Sequence, residues 1–490
     1  MQPIRTFRSS LLQVITLHIF EMRNTLIPFG LCILISGVFS NLCSAPCSCI
    51  DRTVDCSNLK LKTQFNKTEW DGMQLITEAK FDVNQIRHLT QYPKLPLVYL
   101  SLTHNMISTI DDGAFSNLES LTILDLSHNY LDSGHLNPNI FKGQYQPEYY
   151  APLKNLTELN LSHNLLYTLH PDVFEHLPRL ERLSLNNNPF KTLDKNTVTA
   201  LSSIQSLKLL DLSATDLYSL PEYPFGTPRF LSILNLSLNR FSAIPDQLEH
   251  VEALQFLFMD DNPIISIDKF PRLSKLEVLH LNWLPKLKQI GPYSLSNLTG
   301  LKELYCHNNI NLKEISANAL TSIPTDSSEG PVWPVLKKLD LHHNGLRYLD
   351  SNLLGRWDLL EDVNIKGNPW VCECDNQWIV EDLIPKIRAL KKDHLLDGII
   401  CHEPLEMKGV SMVDLQAKHY TMRCLDKYGN QPEKDGSFLL GLIIGLWFAV
   451  PFMVAAIIVY RRRNQTPKQF SRAFYKRAES SENLADSMHY

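Results

Sequence analysis

One frame recurs along most of this 490-residue chain, and it constrains the fold more than any other feature. The passage "LVYLSLTHNMISTI", Leu97 to Ile110, places apolar residues at the first, fourth and sixth positions and an asparagine at the ninth; "LTILDLSHNYL", Leu121 to Leu131, repeats it. The frame begins at Ile76, Leu97, Leu121, Leu156, Leu180, Leu207, Leu231, Leu254, Leu276, Leu301, Leu336 and Leu360. Most intervals are 21 to 27 residues; those from Leu121 to Leu156 and from Leu301 to Leu336 are 35, so each carries an insertion. Alternating apolar residues such as Leu124 and Leu126 point to one side of an extended segment, and the residues between them point to the other. The ninth-position asparagines, among them Asn129, Asn164, Asn188, Asn239, Asn262 and Asn344, can satisfy backbone groups where the chain leaves the strand. Thr215 and Leu284 replace the asparagine in two frames, where irregular turns are expected.

No single frame can bury its own leucines, but stacked frames bury them collectively. The period is that of a leucine-rich repeat. The expected fold is an α/β solenoid, a right-handed horseshoe with a parallel sheet on its concave face, formed by about 12 repeats over residues 76–367. A stack needs covers at both ends. Before the first frame lie Cys43, Cys47, Cys49 and Cys56, and after the last lie Cys372, Cys374, Cys401 and Cys424. Cys-x-Cys spacing suits zinc as well as cross-linking, but even-numbered clusters in a secreted chain favour disulfides. The spacing alone allows three pairings in each cluster.

The repeats and paired clusters resemble the extracellular leucine-rich-repeat membrane proteins with cysteine-rich N- and C-terminal caps, over residues 43 to about 424. That resemblance implies caps at 41–75 and 368–424, with pairs Cys43–Cys49, Cys47–Cys56, Cys372–Cys401 and Cys374–Cys424. Trp370 and Trp378 are expected beneath the second cap, and Cys306, at an inward position, is expected as a buried, inert thiol.

Two apolar runs frame this region. Leu26 to Ser40 follows Arg23 and ends in small residues, as a secretory signal does, giving a signal peptide over 1–40. The apolar residues before it leave open whether translation starts at Met1 or Met22. The uncharged run Phe438 to Tyr460 rises about 34 Å as a helix, enough to cross a bilayer core. It follows a stalk at 425–437, and Arg461, Arg462 and Arg463 follow it, which places the tail, 461–490, in the cytoplasm. The expected product is a single-pass type I plasma-membrane protein with an extracellular N-terminus. Residues 41–437 carry 37 Lys and Arg against 48 Asp and Glu, an acidic balance that disfavours nucleic acid as a partner.

The concave face is legible because residues beside the inward leucines line it. Phe256, Phe258, Val278, His280, Trp283 and Tyr305 form the expected partner-binding cluster, since aromatic anchors dominate protein interfaces. The alternatives are that the insertion at 317–335, with Trp333, covers them, or that the strand register is shifted by one residue. Glycosylation sequons stand at Asn66, Asn155, Asn160, Asn235 and Asn297. Glycans on Asn160 and Asn235 would project from the concave face and leave the later repeats open. His104, His128 and His163 fall at equivalent positions, where they could bind metal or sense pH, or simply be solvated.

The tail is too short for a kinase or similar signalling domain. Its basic and aromatic first part suits an anionic membrane surface, Tyr475, Ser480 and Ser481 are phosphorylation candidates, and the terminal "MHY" suits a cytoplasmic adaptor's strand-addition groove. No G-x-S-x-G, H-E-x-x-H, P-loop or G-x-G-x-x-G motif occurs, so no enzyme activity and no cofactor are expected. The leading function is cell-surface recognition or adhesion of a protein partner, homophilic or heterophilic. The alternative is an accessory co-receptor that presents or restrains a soluble ligand. A signalling receptor of the Toll type is disfavoured by the short tail.

Overall fold

The computed structural model describes residues 46–65, 67–147, 149–226, 228–322, 330–424 and 432–463. The chain forms a leucine-rich-repeat β-solenoid with parallel sheet, disulfides and one apolar C-terminal helix. It divides into two compact units: the first ends at Asn262 and also holds Pro271–Glu277, and the second holds Pro263–Phe270 and everything from Val278.

In the first unit, Ser48–Ile50 and Thr53–Asp55 form an antiparallel pair. Thr53–Asp55 then pairs in parallel with Glu78–Lys80, which begins the repeat sheet. Tyr99–Ser101, Ile123–Asp125, Glu158–Asn160, Arg182–Ser184, Leu209–Asp211, Ile233–Asn235 and Phe256–Phe258 follow, each parallel to the one before. The central residue of each repeat strand from Glu78–Lys80 on is buried, as with Leu100, Leu124, Leu159 and Leu210 at 0% exposure, because it is the fourth residue of its frame and faces the stack. An aromatic series lies within this core: Trp70 touches Phe81 and Tyr92, Tyr92 stacks on Phe115, and Phe115 stacks on Phe141. The long interval after Leu121 is occupied partly by an antiparallel hairpin of Lys142–Gln146 and Tyr149–Pro152.

In the second unit, Val278–His280, Glu303–Tyr305, Lys338–Asp340 and Asp362–Asn364 form the same kind of parallel sheet. Ser266–Ile267, Gln289–Ile290 and Glu314–Ile315 make a second short parallel sheet, where the chain returns between repeats. The second insertion closes with a bridge between Ser322 and Val332. Its Trp333 indole donates to the carbonyl of Asn352 at 3.3 Å, and a Cβ on Gly355 would meet the ring at 2.5 Å. Trp333 therefore packs on the chain beyond the strand Lys338–Asp340.

The ninth-position asparagines join successive repeats. Asn129 donates to the carbonyls of Leu102 and Leu126 at 3.0 Å each, and its Oδ1 accepts from the backbone N–H of Ile107 at 3.0 Å. Asn164, Asn188, Asn239 and Asn262 likewise donate back to the preceding frame. Burial of these amides carries little penalty because each is hydrogen-bonded. Thr215 keeps one of these bonds, from its hydroxyl to the carbonyl of Leu212, while Asn239 Oδ1 accepts from its backbone. Its turn is irregular: both Ala214 and the following Asp216 have positive φ. At the other departure, Leu284 is buried and its N–H donates to Asn309 Oδ1 at 2.6 Å.

The residue before each asparagine position is left-handed. Val83, His104, His128, His163, Asn187, Ala214, Leu238 and Asp261 have φ between 52° and 58° in the first unit, as do Trp283, Asn308 and His343, between 52° and 59°, in the second. Histidine, asparagine and aspartate tolerate this conformation better than most side chains, which accounts for the repeated Ser-His-Asn triplets.

Disulfides join Cys47 to Cys56, Cys372 to Cys401 and Cys374 to Cys424. Cys49 is disulfide-bonded as well; Cys43, its expected partner, lies outside the described residues. Trp370 is fully buried and donates to the carbonyl of Ile365. Trp378 donates to the carbonyl of Leu349 and packs against Trp357 at 4.7 Å. Cys306 is a buried thiol that accepts from Asn309 Nδ2 at 3.2 Å.

A helix runs from Pro432 to Arg463, and an 18-residue stretch of Leu440–Arg463 within it has mean hydropathy 2.7 and no buried residues. It is long and apolar enough to cross a membrane. The expected signal peptide, most of the expected stalk and the tail beyond Arg463 lie outside the described residues.

Candidate functional site

The six residues expected to bind a partner belong to two units and differ in exposure. In the first unit, Phe256 is half-buried on the sheet face, beside Ile233 in register, with Leu209 one strand further on. These three are the first residues of consecutive strands, so the parallel register alone brings them into one apolar row. Phe258, two residues after Phe256, is only 4% exposed.

In the second unit, Val278 and His280 are also buried. The His280 ring stacks on Tyr305 at 4.3 Å, and its Nδ1 lies 3.3 Å from Asn282 Nδ2. Burial pushes the His280 pKa down to about 3, with the neighbouring His307 and Lys338 acting in the same sense. The expectation of six exposed side chains is therefore corrected: Phe258, Val278 and His280 are buried. The pattern of alternation gave the side of the sheet but not how tightly neighbouring side chains close over one another.

Tyr305 and Trp283 are the accessible aromatic groups of that set in the second unit. The Tyr305 hydroxyl donates to Glu303 at 2.7 Å, and the Lys338 ammonium lies 4.9 Å from its ring centroid. Trp283 is 42% exposed at φ 57°, in the row that elsewhere takes His, Asn, Ala, Asp, Val83, Leu238 and Gly367. Because the whole row is left-handed, Val83 and Leu238 included, the exposure of the ring and not its backbone sets Trp283 apart. Trp333 is bonded to Asn352, beyond the strand, as described above.

Among the sequons, Asn155 and Asn160 are half-buried; Asn155 donates to the carbonyl of Glu119, and Asn160 to Asp125. Asn297, in the second unit, donates to the carbonyl of Phe270. Asn235 is only 6% exposed and is hydrogen-bonded to the buried Asp211. Asn66 lies outside the described residues.

His104, His128 and His163 form a stack, with ring centroids 3.9 and 3.8 Å apart. A second histidine group, not singled out from sequence, lies in the second unit. His307 and His342 each follow the second inward residue of adjacent frames, and their rings stack at 4.3 Å. Asp340 accepts from the backbone N–H of His342 at 3.2 Å and touches its Nδ1. The signal was in the sequence: "YCHNN" and "LDLHHN" place histidine at the same frame position.

The fold and these faces define a leucine-rich-repeat chain with an open sheet surface. A family model, Leucine rich repeat, matches residues 96–143, 154–209 and 205–264. The chain is homologous to leucine-rich-repeat proteins. It is 29% identical over 310 residues to lumican of Gallus gallus, covering 59% of this chain and 71% of that one. It is 29% identical over 287 residues to tsukushi of Mus musculus, covering 57% and 74% respectively. Among solved structures, a chain of the octameric complex of Latrophilin 3, Unc5D and FLRT2 aligns at TM-score 0.49 and 19% identity, covering 75% of this chain and 95% of that one.

Proposed function

We propose that the chain is a cell-surface recognition protein that binds a protein partner through the sheet face of its repeats. The single observation that carries this reading is Trp283, a large aromatic side chain 42% exposed. Burying such a ring against a partner removes much apolar area from water, and tryptophan is enriched among residues that dominate binding. Tyr305, with its Lys338 and Glu303 neighbours, supplies a second, amphipathic contact. The Leu209, Ile233 and Phe256 row is a second apolar surface, on the first unit. The helix Pro432–Arg463, which ends in Arg461, Arg462 and Arg463, supports single-pass anchoring with the repeats outside the cell.

The test is to tetramerise residues 41–436, secreted and glycosylated, and to score binding to cells with and without the full-length chain. Binding confined to expressing cells identifies homophilic adhesion, and binding to both identifies a partner to capture. Trp283→Ala should lower either signal about tenfold or more, as removal of a dominant interface residue does. Unchanged binding by Trp283→Ala, with the protein folded, would remove this face from the reading.

A further inference from the structure

We infer that His307, Asp340 and His342 form a site for one transition-metal ion of the zinc class. Each offers one donor atom, an imidazole nitrogen or a carboxylate oxygen, and all three atoms lie within 4.8 Å of one another. The three residues belong to adjacent parallel frames, in which Tyr305 is in register with Asp340. The register therefore sets His307 beside His342, two residues further on in each frame. Backbone contacts hold the group: the N–H of His307 donates to Asn282 Oδ1 at 3.0 Å, and that of His342 to Asp340. The rings of His307 and His342 are already stacked, so closing on an ion requires side-chain rotation and not movement of the strands.

The donor set selects the ion. Zinc binds imidazole nitrogen at about 2.0–2.1 Å and carboxylate oxygen at about 2.0–2.2 Å, commonly with three protein ligands and one open position. Two imidazoles and one carboxylate suit zinc, cobalt, nickel or copper, whereas calcium and magnesium prefer sets made wholly of oxygen. The Asp340 and His342 side chains are 16% and 18% exposed, which leaves water access for a fourth ligand. Rotation of the Asn308 amide, whose Nδ2 lies 2.7 Å from His307 Nδ1, would let its Oδ1 accept from Nδ1–H and leave Nε2 for the ion. The His104, His128 and His163 stack, with rings 3.9 and 3.8 Å apart, supplies an internal control.

The experiment uses the full-length chain in detergent micelles, freed of metal by a chelator. Titration with Co²⁺, followed by visible absorption, and with Zn²⁺, followed by calorimetry, should show one equivalent bound per chain, Zn²⁺ displacing Co²⁺. His342→Gln should abolish the saturable phase, Asp340→Asn should weaken it by about 10–100-fold, and replacing His104, His128 and His163 together by Asn should leave it unchanged. Should His342→Gln fail to fold, the near-isosteric Asp340→Asn decides. Absence of a saturable phase in the wild type, or unchanged affinity in folded Asp340→Asn, overturns the inference.

Discussion

At the scale of single residues, the left-handed row decides which substitutions the repeats accept. Gly367 holds the row's position in the last frame at φ 69°, and a Cβ there would meet the His343 ring at 2.6 Å. Gly367→Ala is expected to cost about 1–3 kcal/mol through backbone strain and displacement of that ring, read as a lowered thermal midpoint. A midpoint equal to wild type would show that the row is not under strain. His280 supports a second expectation. Its pKa falls from 6.5 unfolded to about 3 folded, so between these values the unfolded chain binds the extra proton and stability drops as pH falls. The loss relative to pH 7 should reach about 2 kcal/mol at pH 5 and should be smaller in a folded His280→Gln variant, as measured by denaturant midpoints at the two pH values.

At the scale of the element, each turn is completed by the next repeat. Asn129→Ala removes the acceptor of the Ile107 N–H and a donor to two buried carbonyls. The expected cost is about 2–4 kcal/mol, because the buried partners lose their bonds without gaining water. Asn129→Asp should also destabilise, since a carboxylate cannot donate to those carbonyls; chemical denaturation of both variants checks this, and two wild-type-like curves would refute it. The repeat frame was readable because its periodicity follows from strand geometry, so the inward leucines and the solenoid follow directly. The sheet-face site was less readable. Phe258 and His280 alternate correctly but are buried, because closure of neighbouring side chains depends on contacts between frames that no single frame encodes. The group of His307, Asp340 and His342 is hidden for the same reason: His307 lies 33 and 35 residues before the other two and meets them only through parallel register.

At the scale of the whole molecule, the repeats and the apolar helix are joined through residues 425–431, outside the described set. The helix from Leu440 exposes its apolar side chains throughout, which in water would favour association. The full-length chain is therefore expected to remain with membranes after alkaline carbonate extraction, while a chain ending at residue 436 should be recovered in the medium. Release of the full-length chain by carbonate would refute membrane anchoring.

The asparagine ladder also has a direction in time. Each asparagine reaches back to the frame made before it, as Asn164 does to Leu126 and Asn188 to Leu161. During synthesis a turn cannot be locked when it emerges; it waits for the residues of the following repeat. The order of completion then runs with translation, always one repeat behind the newest residue, and a stalled chain would carry one unfinished turn at its growing end wherever it stopped.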